Sequence, residues 1–254
     1  MIPIINKNDC NLSINYNQKF EDCIESNTYT ATYKNNPVIT KFFRNEEAIK
    51  NKINKIKLIK ERTKDIDLVV TADAFIEDNG KIVGYMMKDI KGINIYNSYL
   101  STKKEVLIWY LKELAKGLKE LHKLGIIAGD YTHNTIVKDN KLYFIDHDNF
   151  MIDNYQMDQE NRLIWSYKDK KSEIDKNLDF YILNLYTFSI FRHYNLPFVT
   201  DLYYPNNSIF NFRDPEIRQI FENTINLNES FDGQLIIDKI DTVKDIKKIK
   251  SKKF

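Results

Sequence analysis

The chain has 254 residues, of which 43% are hydrophobic and 29% charged, with a formal net charge of +2. That length can bury a substantial core as one large domain or two small lobes, and the near-neutral balance argues against a dedicated nucleic-acid binder, which concentrates basic charge on one face. Seven glycines and five prolines leave little room for flexible linkers, and the two cysteines, Cys10 and Cys23, make neither a disulfide framework nor a metal cluster, as suits reduced thiols in a cytosolic protein.

The apolar start, Met1–Ile5, is too short for a signal-peptide core. Residues 18–43 read as three short strands. Thr28–Tyr33 and Val38–Phe43 are rich in β-branched and aromatic residues, and Asn35-Asn36-Pro37 between them signals a turn. Residues 45–62 switch to helical spacing, with Ile49, Ile53, Ile56 and Ile59 on one side and lysines elsewhere. Leu68-Val69-Val70, Ala74-Phe75-Ile76 and Ile82–Met87 read as further strands, with a turn at Asp78-Asn79-Gly80.

The spacing of Leu107, Leu111, Leu114, Leu118 and Leu121 predicts a helix over 103–124. Thr102 with Glu105 fits a capping box at its start, and Gly125 stands where a left-handed C-cap is wanted. Ile136-Val137 and Leu142–Ile145 then read as two short strands joined through Asp139-Asn140. Residues 147–178 are polar and irregular. Helical patterns return at 179–194 and around 214–226, and the tail from Lys244 to Phe254 carries six lysines, which reads as a solvated terminus. The most apolar run, Phe180–Phe191, is broken by Asn184, Thr187 and Ser189 and is too short to span a bilayer. No membrane partner and a cytoplasmic location are therefore expected. An α+β chain emerges, strand-rich over 1–89 and mainly helical over 90–254, with a cleft between the two parts as the natural ligand site.

The stretch Leu121–Val137 carries the chemistry. A helix ends at Gly125, Ile126-Ile127 follows, and Asp130 and Asn134 flank a short loop; twelve residues later a strand delivers Asp146. Two aspartates and an asparagine so placed offer oxygen ligands for Mg²⁺ and one group for a substrate hydroxyl. Phosphoryl transfer needs little more, because it is catalysed mostly by positioning and charge neutralisation.

These residues resemble the catalytic loop of the protein kinase superfamily, most closely atypical bacterial and phage members in which Gly-Asp replaces Arg-Asp. The resemblance covers roughly residues 18–195 and is most specific over 121–148. It implies a bilobal fold, with a small antiparallel β-sheet N-lobe plus one helix and a mainly helical C-lobe. Asp130 matches the catalytic Asp, Asn134 the Mg-binding Asn, and Asp146, in Phe144-Ile145-Asp146-His147-Asp148, the metal site of the Asp-Phe-Gly motif. Lys41 resembles the third-strand lysine that contacts the phosphates, with Glu61 as its expected helix partner and Glu46 and Glu47 as alternatives. Ile82–Gly92 resembles the strand leading into the hinge, so Met86, Met87, Lys88 and Asp89 are expected to meet adenine. Asp179 resembles the buried aspartate that ties the catalytic loop to the C-lobe; a plain helix N-cap is the other reading.

The pattern is incomplete. Asp130 to Asn134 spans four residues where the family has five, and Asn134 to Asp146 is one shorter than usual. Glu25-Ser26-Asn27-Thr28 stands in place of a Gly-rich loop, Thr132 replaces a common lysine, His133 sits beside Asn134, and Ala-Pro-Glu is missing between Asp148 and Asp179. The resemblance implies an ATP- and Mg²⁺-dependent phosphotransferase. Its expected form is a Ser/Thr-type protein kinase acting on a protein substrate. A small-molecule phosphotransferase of the aminoglycoside or choline type, and a nucleotide-binding pseudokinase with a regulatory role, remain as alternatives.

Overall fold

The computed structural model describes residues 1–19, 26–95, 102–157, 162–193, 215–227, 231 and 233–239. The protein is mixed α+β and divides into two units. The first holds Met1–Ile93 and Ile136–Asp148, the second Asn94–Thr135 and Asn149–Phe254, so the chain visits each unit twice.

In the first unit, β1 (Ile4–Asn6), β2 (Leu12–Lys19), β3 (Ser26–Tyr33), β4 (Asn36–Phe43), β5 (Ala72–Asp78) and β6 (Lys81–Lys88) form one sheet in the order β1-β5-β6-β4-β3-β2. β1 runs parallel to β5, and the other pairs are antiparallel. The two edge strands lie outside the expected elements, and the parallel pair departs from an all-antiparallel sheet. β1 has only three residues, too few to show a period, whereas β2 does carry one: Leu12, Ile14 and Tyr16 alternate with polar residues, and Leu12 and Ile14 pack against the core.

Asn79-Gly80 joins β5 to β6 with positive φ at both positions, as a type I′ hairpin turn requires. Lys34-Asn35 does the same between β3 and β4. The expected Asn35–Pro37 turn therefore sits one residue early, and Pro37 already pairs with Thr32 inside the sheet. The hairpin of β8 (Thr135–Lys138) and β9 (Lys141–Phe144) turns through Asp139-Asn140 in the same way. Leu68–Val70 joins β9 rather than the main sheet. The Val70 N–H donates to the Phe144 carbonyl at 2.9 Å, and the Phe144 N–H to that of Leu68 at 2.8 Å.

Helix α1 (Glu46–Arg62) packs against one face of the sheet. Ile56 meets Ile2, Ile39, Val70, Phe75, Tyr85 and Met87 there, while Ile5, Ala31, Val38, Ala74, Ile76 and Met86 form a core on the opposite side. Burial at this scale supplies most of the stability of such a layer. The helix is not apolar on one side and basic elsewhere. Lys52 and Lys55 lie within its buried side, 3% and 2% exposed.

The second unit is built from α2 (Lys104–Lys123), β7 (Ile126–Ile127), β10 (Met151–Ile152), α3 (Arg162–Lys168), α4 (Asn177–His193), α5 (Pro215–Asn226) and α6 (Ile236–Lys239). All five leucines of the expected stripe on α2 are buried. Its start differs from the expected capping box: Lys103 is the N-cap residue and makes no side-chain cap bond. Its end follows the expected motif, with Gly125 at φ 70° and its N–H donating to the His122 carbonyl at 3.1 Å. The segment after Asp148, read as irregular, contains β10 paired with β7 and the short helix α3.

Helix α4 buries polar as well as apolar residues. The Asn184 amide donates to Thr224 Oγ1 (2.9 Å) and the Gln234 carbonyl (2.8 Å), and its oxygen accepts the Ile236 N–H (2.9 Å). A buried amide satisfied on both ends locks the unit together, because each lost bond would leave a desolvated partner. Among the described residues, no helix is long and apolar enough to cross a membrane. Cys10 is exposed and free; Cys23, Glu25 and the Lys244–Phe254 tail lie outside the described residues.

Candidate functional site

In the first unit the site grows out of the register of two strands. Lys41 of β4 stands opposite Tyr85 of β6. Directly paired residues project to the same face, and here it is the face covered by α1. Gly84 permits this approach, since a Cβ there would run into the Lys41 carbonyl oxygen. Lys52 reaches the same place from α1, one turn before Ile56. After β9 the chain bends at Asp146, whose φ of 59° lies in the left-handed region. A non-glycine residue adopts that backbone at a cost of about 1–2 kcal/mol, and such outliers gather at functional sites.

The bend delivers two carboxylates to the lysines. Lys41 Nζ donates to Asp146 Oδ1 and, at 2.8 Å, to Asp148 Oδ1. Asp148 Oδ1 also accepts the Tyr85 hydroxyl at 2.8 Å, and Asp148 Oδ2 accepts Lys52 Nζ at 3.2 Å. The two carboxylates differ in access: the Asp146 side chain is 33% exposed and that of Asp148 only 1%.

Electrostatics follow from this packing. Burial works against the Lys41 charge, but Asp146 and Asp148 outweigh it and raise its pKa well above the usual lysine value. Burial likewise disfavours the Asp148 charge, yet Lys41 and Lys52 hold its pKa far below the usual carboxylate range. Asp146 moves the other way. Burial and the neighbouring Asp148 raise its pKa more than Lys41 lowers it. His147 between them is fully buried, and burial depresses its pKa to about 4. Neither ring nitrogen makes a well-formed hydrogen bond, although the nearby Val70 backbone offsets part of that depression. The neutral ring packs edge-on to Tyr85, with centroids 5.4 Å apart.

Glu61 does not join this cluster. Its carboxylate accepts Lys64 Nζ at 2.7 Å on the exposed side of α1, two residues and so about 200° round the helix from buried Ile59. The carboxylates that meet Lys41 come instead from the 146–148 segment, and the helix contributes Lys52. The side chains of Glu46 and Glu47 lie outside the described atoms. Lys52, Tyr85 and Asp148 were not among the expected site residues. Position 52 is legible afterwards, three residues past Ile49 and four before Ile56, on the apolar stripe itself.

On β6, Met86 and Met87 pair with β4 on one side and β5 on the other, and both side chains fill cores. Sheet pairing therefore engages the backbone of Met87, which was expected to offer its groups to adenine, while Met86, expected near the gatekeeper place, fills the core on the side of the sheet away from α1. Lys88 pairs with Val38 alone, and Asp89 lies past the strand, its Oδ1 accepting the Lys91 N–H at 3.0 Å.

The second unit organises the Asp130–Asn134 loop through Asp179. Asp179 is fully buried and accepts the Ala128 N–H at 2.9 Å, the Gly129 N–H at 2.7 Å and His122 Nε2 at 2.8 Å. Its own carbonyl accepts the Tyr131 hydroxyl at 2.8 Å. These bonds reach across the loop, beyond what an N-cap would make. Gly129 holds φ 65°, and a Cβ there would strike Met157. Within the loop, Asn134 Nδ2 donates to the Asp130 carbonyl at 2.7 Å. The His133 carbonyl accepts Asn94 Nδ2 at 2.6 Å.

Among the described residues, no group of three or more His, Cys, Asp or Glu is arranged to hold a metal ion alone. Magnesium does not require such a cage, because it keeps several waters and takes one or two carboxylates together with substrate phosphates. The accessible Asp146 carboxylate fits that role; the enclosed Asp148, with both oxygens engaged, does not. Comparison with protein-family models finds no match, and comparison with curated proteins finds none either.

Proposed function

We propose that this chain is a Mg-ATP-dependent phosphotransferase with a bilobal, protein-kinase-like fold, acting as a Ser/Thr-type protein kinase on a protein hydroxyl. The observation that carries the reading is the pairing of Lys41 with Asp146. A strand lysine and a carboxylate 105 residues apart in sequence meet in a buried cluster, and that is the minimum equipment for holding nucleotide phosphates and their cation.

Bound Mg-ATP supplies the phosphoryl group and neutralises charge as the bond to the leaving ADP breaks. The protein's own groups do the rest. Lys41 steadies the phosphates, Asp146 and Asn134 offer cation ligands, and Asp130 orients the attacking hydroxyl and accepts its proton. Adenine is left to the chain at and after Lys88. A second reading, transfer to a small-molecule hydroxyl, is favoured by the missing Ala-Pro-Glu segment and by the absence of glycine at the start of β3.

Labelled ATP separates these. Label on protein that disappears in Asp130→Asn and Asp146→Asn supports the protein kinase. Nucleotide binding with turnover only on a metabolite panel supports the small-molecule enzyme, and binding without turnover leaves a pseudokinase. At one hundred times Kd, ATP stabilises by about 2.7 kcal/mol. No rise in Tm with ATP, with or without Mg²⁺, sinks every nucleotide-binding reading.

A further inference from the structure

The cluster around Lys41 holds two carboxylates where a lysine needs one, and they are not equivalent. Asp146 is a third exposed, sits on a strained backbone and reaches Lys41 through Oδ1. Asp148 is closed off, and three donors from three different elements fill its two oxygens: Lys41 from β4, Tyr85 from β6 and Lys52 from α1. Removing either carboxylate therefore has different consequences. Without Asp146, Lys41 keeps a charged partner and its place. Without Asp148, Lys41 loses the bond that fixes it against the sheet, and Lys52 loses a carboxylate in a buried site, where lost charge compensation is heavily penalised.

We propose that Asp148 is the positioning residue of this site, holding the Lys41 ammonium in place for a nucleotide phosphate, and that it frees Asp146 to exchange Lys41 for a divalent cation. This rests on the nucleotide-binding reading above and assigns the two aspartates of the Ile-Asp-x-Asp stretch separate work. Lys52 completes the device. By bonding Asp148 Oδ2, it ties the position of Lys41 to helix α1, the part expected of a helix glutamate but carried by a group of opposite charge.

The test uses the full chain and two binding measurements. Metal-free affinity for a fluorescent ATP analogue in EDTA reports the placement of Lys41. Mn²⁺ affinity in the presence of ATP, read by electron paramagnetic resonance, reports the cation ligand. Asp146→Asn is expected to weaken Mn²⁺ binding at least 10-fold while metal-free nucleotide affinity stays within 3-fold. Asp148→Asn alone leaves two buried lysines short of charge, so it is paired with Lys52→Met to keep the charge balance. That double variant is expected to recover most of the wild-type Tm yet bind metal-free nucleotide at least 10-fold more weakly. Tyr85→Phe, which removes one donor and no charge, is expected to weaken the same affinity 2- to 5-fold with Mn²⁺ affinity unchanged.

Metal-free affinity within 2-fold of wild type in both the double variant and Tyr85→Phe would reduce Asp148 to a structural role and overturn the proposal. So would the reverse pattern, with Mn²⁺ binding lost in the Asp148 variant and kept in Asp146→Asn. Either result leaves nucleotide binding itself standing. Wild-type protein that binds no nucleotide at all overturns the underlying reading and this proposal together.

Discussion

The two units solve the same problem, fixing a polar group in place, by different physics. In the first, charge holds charge: Lys41, Lys52, Asp146 and Asp148 balance one another inside a sheet–helix core. In the second, a single buried carboxylate holds backbone. Asp179 takes the N–H groups of Ala128 and Gly129 and so shapes the loop, leaving the Asp130 side chain out of the framework bonds that Asp179 makes. An ion-pair cluster can exchange partners when another charge arrives; a backbone clamp has nothing to exchange. The first arrangement suits a group that must respond to a ligand, and the second suits a frame that must not move.

The sharpest way to break this contrast is Asp148→Asn. If the first unit is held by charge, the two buried lysines lose about 3–5 kcal/mol of compensation, and Tm falls by about 10 °C at 2–4 °C per kcal/mol. An unchanged Tm by calorimetry would show that the cluster carries no net stability. Asp179→Asn probes the clamp. It weakens charge-assisted bonds to two buried N–H groups and should cost about 2 kcal/mol in urea unfolding, with little dependence on salt. A loss that shrinks strongly in 1 M NaCl would mean that long-range charge, not local bonding, was at work.

Titration sharpens the same contrast at smaller scale. His147 has a folded pKa of about 4 against an unfolded value near 6.5. The unfolded chain therefore binds the extra proton first, and stability is lost as pH falls from about 6.5 towards 4, by about 3 kcal/mol over the whole window. Between pH 7.5 and 5.5 the urea-derived stability should drop by about 1–1.5 kcal/mol, and His147→Phe should flatten that slope. A slope unchanged in the variant assigns the proton elsewhere. The smallest effect belongs to Glu61→Gln. Because Glu61 is exposed and, among the described residues, pairs with the equally exposed Lys64 just past the helix, neither Tm nor nucleotide affinity should change measurably.

Local signals in the sequence were enough to place two of the three hairpin turns and helix α2; the third, at Lys34-Asn35, lies one residue before the expected Asn35–Pro37. Asn-Gly and Asp-Asn announce positive φ, and five leucines at helical spacing have one stable solution, a buried face. Of the edge strands, β1 is too short to show a period, whereas β2 carries one in Leu12, Ile14 and Tyr16, a legible signal that a strand reading beginning at residue 18 leaves out. In the first unit Lys41 and Asp146 were readable from their strands, and in the second Asp179 from the start of its helix. Tyr85 was not, because it becomes a neighbour of Lys41 only through the β4–β6 register, which the sequence does not print. Lys52 hid for a different reason. A charged residue on an apolar stripe looks like a break in the pattern until its buried partner is known. Distance along the chain points to Glu61, whereas the side of the helix decides what a residue meets.

The twofold visit of the chain to each unit also sets an order of assembly. Lys41 and Lys52 are made early, but their carboxylates at 146 and 148 come only after all of residues 94–135, which belong to the other unit. At roughly 5–20 residues per second of synthesis, the ribosome delivers Lys41 and Lys52 several seconds before the two carboxylates. A fragment ending at Ile93 lacks both Asp146 and Asp148, and with them the carboxylates that Lys41 and Lys52 meet in the full chain.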